Sequence, residues 1–206
     1  MVSRLRDEAP PRIVTPSEAM FDERWAAETV AQLVAAGVAV ARGLDDRDID
    51  DIGAAFGVAV PEELALLLQV GVPSSPGWAA WSDGGRTLAH GTRRWIDERF
   101  AFDIAHNDFW HPLFGERPPD LARATGQAHA FLATAPPLLP IFGHRFLTTG
   151  PAPRAVLSVW QAIDSILYGN DLADYLTRDH RLARPAWATP APPPVPVWED
   201  LFDLFG

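Results

Sequence analysis

The sequence predicts an α+β fold: helices first, an antiparallel sheet built mainly in the second half, and further helices inserted and appended. Three observations carry this prediction. Apolar residues recur every three or four positions between Trp25 and Leu68, β-branched and aromatic runs gather after Pro137, and Gly, Pro and Asp punctuate the chain where elements would start or stop. With 206 residues, 48% hydrophobic and 21% charged, the chain has the apolar material for one core. The expected layout is a disordered arm over 1–16, an α+β domain over 17–184, and a terminal segment over 185–206 docked on that domain.

In the first helix, Trp25, Val30, Leu33 and Val34 share helical spacing and Gly37 stands where the chain should leave it. Asp45-Asp46 caps a second helix through Ile49, Ile52 and Phe56, stopped by Gly57. Pro61 opens a third, with Glu62 and Glu63 in its positive first turn and Leu64, Leu67 and Leu68 behind them, ending near Gly71. GVPSSPGWAAWSDGG then reads as a loop bearing Trp78 and Trp81, either folded over an edge of the core, as Trp favours, or offering its aromatic surface for binding. Residues 92–100 suit a short helix, residues 102–105 the end of a buried strand, and Asn107-Asp108 a chain reversal. An irregular aromatic segment follows with Phe109, Trp110, Leu113 and Phe114, then an amphipathic helix over 118–134 ended by Pro136-Pro137. Strands are expected over 138–147, 155–160 and 163–168, the first two joined as a hairpin across Thr-Thr-Gly-Pro. Asp171 caps a helix presenting Leu172, Tyr175 and Leu176 on one face. Residues 185–197 are too rich in Pro for a regular element, and WEDLFDLF closes the chain as a short apolar helix whose Trp198, Leu201, Phe202 and Phe205 should dock on the domain.

Composition excludes several functions. There is no cysteine, so disulfides, thiolate zinc sites and thiol nucleophiles are absent. The 17 basic residues are all Arg and the net charge is −10, which argues against nucleic-acid binding through phosphates and suits either plain solubility, the commoner reason for an acidic surface, or a basic protein partner. No apolar stretch approaches a membrane span, and no apolar leader core follows Arg4, Arg6 and Arg12, so a soluble cytoplasmic protein is expected.

His106, Asp108 and His111 are the candidate metal ligands of a cysteine-free chain. Their spacing is poor, because the two imidazoles are five apart and Pro112 forces extended backbone after His111, so no metal or other cofactor is expected. Glu62, Glu63, Glu116 and the acidic run 45–51 read as caps and solvated faces without an acid/base companion. Ser82, Ser158 and Ser165 lack a nucleophile elbow, and Asp83-Gly84-Gly85 lacks a phosphate-loop Lys. The stronger expectation is a non-enzymatic binding surface on the loops around Trp78, Trp81, His106, Asn107 and Trp110, because Trp is enriched among interface hot spots.

Four segments together resemble the SUKH superfamily, which includes fungal Smi/Knr cell-wall regulators and bacterial immunity proteins. They are IGAAFGVAVPEELALLLQVGVP (52–73), FDIAHNDFWHPLFGERP (102–118), LSVWQAIDSILYGNDLADYL (157–176) and VPVWEDLFD (195–203). The likeness covers residues 22–206, with Ser74-Ser75 and Trp78 standing in a shortened version of a loop that is normally longer and more acidic. It implies a protein-binding domain without catalytic residues, which in bacteria commonly neutralises a toxin. The alternatives are a metal-dependent enzyme using His106, Asp108 and His111, read from the residues, and an intracellular regulatory scaffold, which the resemblance to the fungal members implies.

Overall fold

A four-stranded antiparallel sheet divides the molecule in two. The structure, a computed structural model, describes residues 21–189 and 191–202; the arm expected over 1–16 and Phe205 of the terminal segment lie outside them. The sheet runs β3 (Leu139–Phe142), β4 (Arg145–Leu147), β5 (Val156–Val159) and β6 (Ser165–Gly169), in that spatial order. Phe146 pairs with Leu157 and Leu147 with Val156. Since side chains alternate along a strand, Phe146, Leu157 and Val159 face one way and Leu147 and Val156 the other.

One face is covered by α1 (Glu23–Ala35), α2 (Asp46–Phe56), α3 (Glu62–Val70) and α6 (Leu172–His180), whose Trp25, Ile52, Leu67 and Leu176 pack with Leu147 and Val156. The other is covered by α4 (Arg86–His106), α5 (Leu121–Leu132) and α7 (Trp198–Phe202), whose Phe100, Ala128, Trp198 and Phe202 pack with Phe146, Leu157 and Val159. The mixed helix-then-sheet layout is the one the sequence predicts. Helix starts follow the expected chemistry: Asp22, Asp45, Asp120 and Asp171 each accept a backbone N–H three residues on. Gly57 ends α2 at φ 70°, a left-handed conformation that a side chain disfavours.

The structure corrects the sequence reading at four places. Residues 102–105 are not a strand but the last turn of α4, because Ile96, Phe100 and Ile104 repeat every four residues and are all buried. The reversal at Asn107-Asp108 stands, with Asp108 at φ 54°. Residues 138–147 are two strands rather than one, folded at Gly143 and His144. A small sheet that the sequence did not signal pairs β1 (Val40–Arg42) with β2 (Gly71–Pro73); three-residue strands are too short to show alternation. Finally, Glu63 is not on a solvated face. It is 1% exposed, and Arg154, from the β4–β5 loop, donates Nη1–H to its Oε2 at 2.8 Å. Burial pushes the Glu63 pKa up, and the Arg154 charge opposes that rise.

The terminal segment crosses between the layers. Trp187 rests edge-on against Phe21 and Trp25 on one side of the sheet, while Val195, Trp198, Leu201 and Phe202 are buried on the other. Trp198 donates Nε1–H to the Pro136 carbonyl at 2.9 Å and stacks on Phe202. Burying each of these large side chains contributes roughly 1.5–3 kcal/mol.

Candidate functional site

The first face of the sheet changes character at the end where β3 turns into β4. Arg145, Ser158 and Tyr168 continue the parity of Leu147 and Val156, but they are polar, and α6 sets Tyr175, Asp179 and His180 over them. Arg145 donates Nη1–H to Ser158 Oγ at 2.9 Å, and its guanidinium lies 3.8 Å over the Tyr168 ring. Tyr168 donates its hydroxyl to Asp179 Oδ1 at 2.8 Å. The other Asp179 oxygen stands 4.0 Å from Arg145 Nε, an ion pair without a hydrogen bond.

The loop between β2 and α4 completes the cluster. Trp78 stacks on His180 with centroids 4.6 Å apart and meets Phe142 edge-on at 5.6 Å. It is fixed there because Ala79 donates to the Ile141 carbonyl and Gly143 to the Gly77 carbonyl, so the loop seals the outer edge of β3. The backbone of this end also brings in His144, whose ring lies 5.0 Å from Trp160.

Three buried polar atoms of the cluster have no hydrogen-bond partner: Arg145 Nε, the Tyr175 hydroxyl and His180 Nε2. Such atoms are costly to bury, and Glu63 Oε1, Asp97 Oδ1, Arg99 Nε and Thr189 Oγ1 are in the same state elsewhere in the molecule. Burial also moves the titrations. The His180 pKa is lowered by desolvation, with Asp179 opposing; the His144 pKa is lowered by desolvation and then by Arg145. Desolvation, followed by the Asp179 charge, pushes the Tyr175 hydroxyl up. The arrangement offers hydrogen-bond donors and aromatic faces. Ser158 Oγ is held by Arg145, not by a base.

The five residues singled out from sequence divide between the two faces. Trp78 lies in this cluster. Trp81, expected on a binding loop, is instead 8% exposed and closes the core against Phe56 at 6.0 Å. His106, Asn107 and Trp110 lie at the far end of α4. The exposed His106 ring sits 4.7 Å from Phe102, and Asn107 donates Nδ2–H to Asp103 at 2.6 Å. Trp110 is half-buried, donating Nε1–H to the Gly115 carbonyl at 2.8 Å and meeting Phe114 edge-on. Their neighbours are structural: buried Asp103 also accepts from the Ile163 amide and so ties the β5–β6 turn to α4.

Two of the three possible metal ligands have other partners. Asp108 is held by Arg117, and His111 Nδ1 accepts the Leu113 amide at 3.2 Å. Among the described residues no three His, Asp or Glu side chains are grouped to hold a metal ion. Arg145, Tyr168, Asp179 and His180 were not foreseen; the available signal was Arg145 standing at a core-facing position of an apolar strand.

No family model, curated protein or solved structure matches this chain. Among the described residues no helix is long and apolar enough to cross a membrane.

Proposed function

We propose that this chain is a non-catalytic protein-binding domain of the SUKH type that neutralises a toxin. The observation that supports this reading is the convergence of Trp78, Arg145, Tyr168 and His180 on one half-buried surface with unsatisfied polar atoms. Trp, Tyr and Arg are the residues in which interface energy concentrates, because they bury large areas and still carry a polar handle. The net charge of −10 speeds encounter with a basic toxin.

The test is isothermal titration with the product of the adjacent gene, together with survival of cells expressing that product with and without this protein. A complex and protection are expected. No heat of binding and no protection would overturn the reading. A stoichiometric transition metal in protein purified without chelator, lost in His106→Ala, would instead favour the metal-enzyme alternative.

A further inference from the structure

The two edges of the central sheet are treated unequally. The outer edge of β3 is closed by the Trp78 loop, through two backbone hydrogen bonds. Among the described residues no segment pairs with the outer edge of β6. A strand presents half of its backbone donors and acceptors to each side, so this edge is a template for another strand. Proteins normally blunt such an edge with charge, Pro or a bulge. β6 reads Ser-Ile-Leu-Tyr-Gly and contains neither charge nor Pro. Its register shift falls near Tyr168, where Arg178 donates to the Tyr168 carbonyl at 3.1 Å, so what stays open is the outward half of the backbone groups over 165–167.

Exposed apolar side chains gather at the same place. Ile163 is 57% exposed and Ile166 51%. Scattered surface apolar residues need no explanation, but two within four positions, in and beside an unpaired strand, do.

We propose that β6 pairs antiparallel with β6 of a second copy of this chain, making one continuous sheet across a two-fold axis. Centring the pair on Ile166 sets that residue against its own mate and sets Ser165 against Leu167 of the second copy, so side-chain parity is kept on both faces. The same register brings the exposed Asp164 to Tyr168 of the second copy, where Arg178 covers the carbonyl. The complementarity occurs twice, as a two-fold interface requires. Three strand pairs with the exposed Ile163 and Ile166 are small beside the roughly 1,600 Å² of an ordinary stable interface, so the association should be weak and depend on concentration. This surface is distinct from the Trp78 cluster, so its failure and that of the toxin-binding reading are separable.

Sedimentation equilibrium of the full chain up to about 200 µM is the test. The expected result is a concentration-dependent mass rising to twice that of the chain. Ile166→Lys changes an exposed residue and so should leave the fold intact while weakening self-association at least tenfold. Asp164→Arg, which sets like charges together at Arg178 of the second copy, should weaken it too. A wild-type chain that stays monomeric throughout, or an Ile166→Lys variant that dimerises as well as wild type, would overturn the proposal.

Discussion

The two faces of one sheet differ in how completely they are finished. On the α4–α5–α7 side, Phe100 meets Phe109, Phe114 and Phe202 with ring centroids 5.8–6.1 Å apart over Phe146, Leu157 and Val159. On the α1–α3–α6 side an equally apolar centre gives way to Arg145, Ser158, Tyr168, Asp179 and His180, with polar atoms left unpaired. Unpaired buried atoms are not confined to that side, since Asp97 Oδ1 and Arg99 Nε of α4 also lack partners, but here they gather beside the stacked Trp78 and His180 rings. The difference teaches where to look for function: at the half-buried end of the face that is not closed.

The largest effect should come from the finished face. Phe100→Ala empties a fully buried site and should cost about 3–5 kcal/mol, read from the denaturant midpoint. A loss under about 1 kcal/mol would mean that this face repacks freely.

Next in size is the buried ion pair on the other side. Arg154→Ala leaves the Glu63 carboxylate without its partner and should cost about 3 kcal/mol at neutral pH. The Glu63 pKa is raised in the fold, so its stabilising contribution is present below the ordinary carboxylate pKa and lost as pH rises through the folded value. The Arg154→Ala penalty should therefore shrink in acid, where Glu63 is neutral. An equal penalty at all pH values would show that Arg154 acts through packing alone.

A smaller effect concerns the imidazoles. His144 and His180 have lowered pKa values in the fold, so their contribution is present above the ordinary imidazole value and lost as pH falls through the folded one. Stability should fall as pH drops from about 7 to about 5, and His180→Phe should flatten that slope. An unchanged slope would remove His180 from the account. Smallest of all is Tyr175→Phe, which deletes a buried hydroxyl that has no partner. It should be neutral or stabilising by up to about 1 kcal/mol, whereas a loss of that size would reveal an unseen bond.

Much of the fold was legible because local chemistry agreed with it. The Asp caps and Gly57 marked helix ends, and the strand positions of β5 and β6 were close. Where two local signals competed, the reading failed: FDIA resembles a strand end by composition, yet Ile104 belongs to the four-residue repeat of α4. Gly169 shows another limit. A Cβ there would meet the Tyr175 Cβ at 2.8 Å, a closeness set by the turn into α6 that the sequence marks only as Gly-Asn-Asp. The site was half legible. Trp78 could be singled out from its loop, but its partners come from β4, β6 and α6, and only tertiary structure brings Arg145, Tyr168 and His180 to it. The same blindness left Trp81 open between burial and binding, because a Trp in a Gly-rich loop carries no local sign of whether it points in or out, and it is buried.

The paired variants Trp78→Ala and Trp81→Ala test the central claim most directly, each measured for denaturant stability and for affinity toward the adjacent gene's product. Trp81→Ala should lose about 3–5 kcal/mol of stability while its folded fraction still binds. Trp78→Ala should lose at least about 1.4 kcal/mol of binding, a tenfold weakening, while its stability changes by less. If Trp78→Ala instead loses several kcal/mol of stability and the folded protein binds as before, the Trp78 cluster is core, and the recognition surface lies elsewhere.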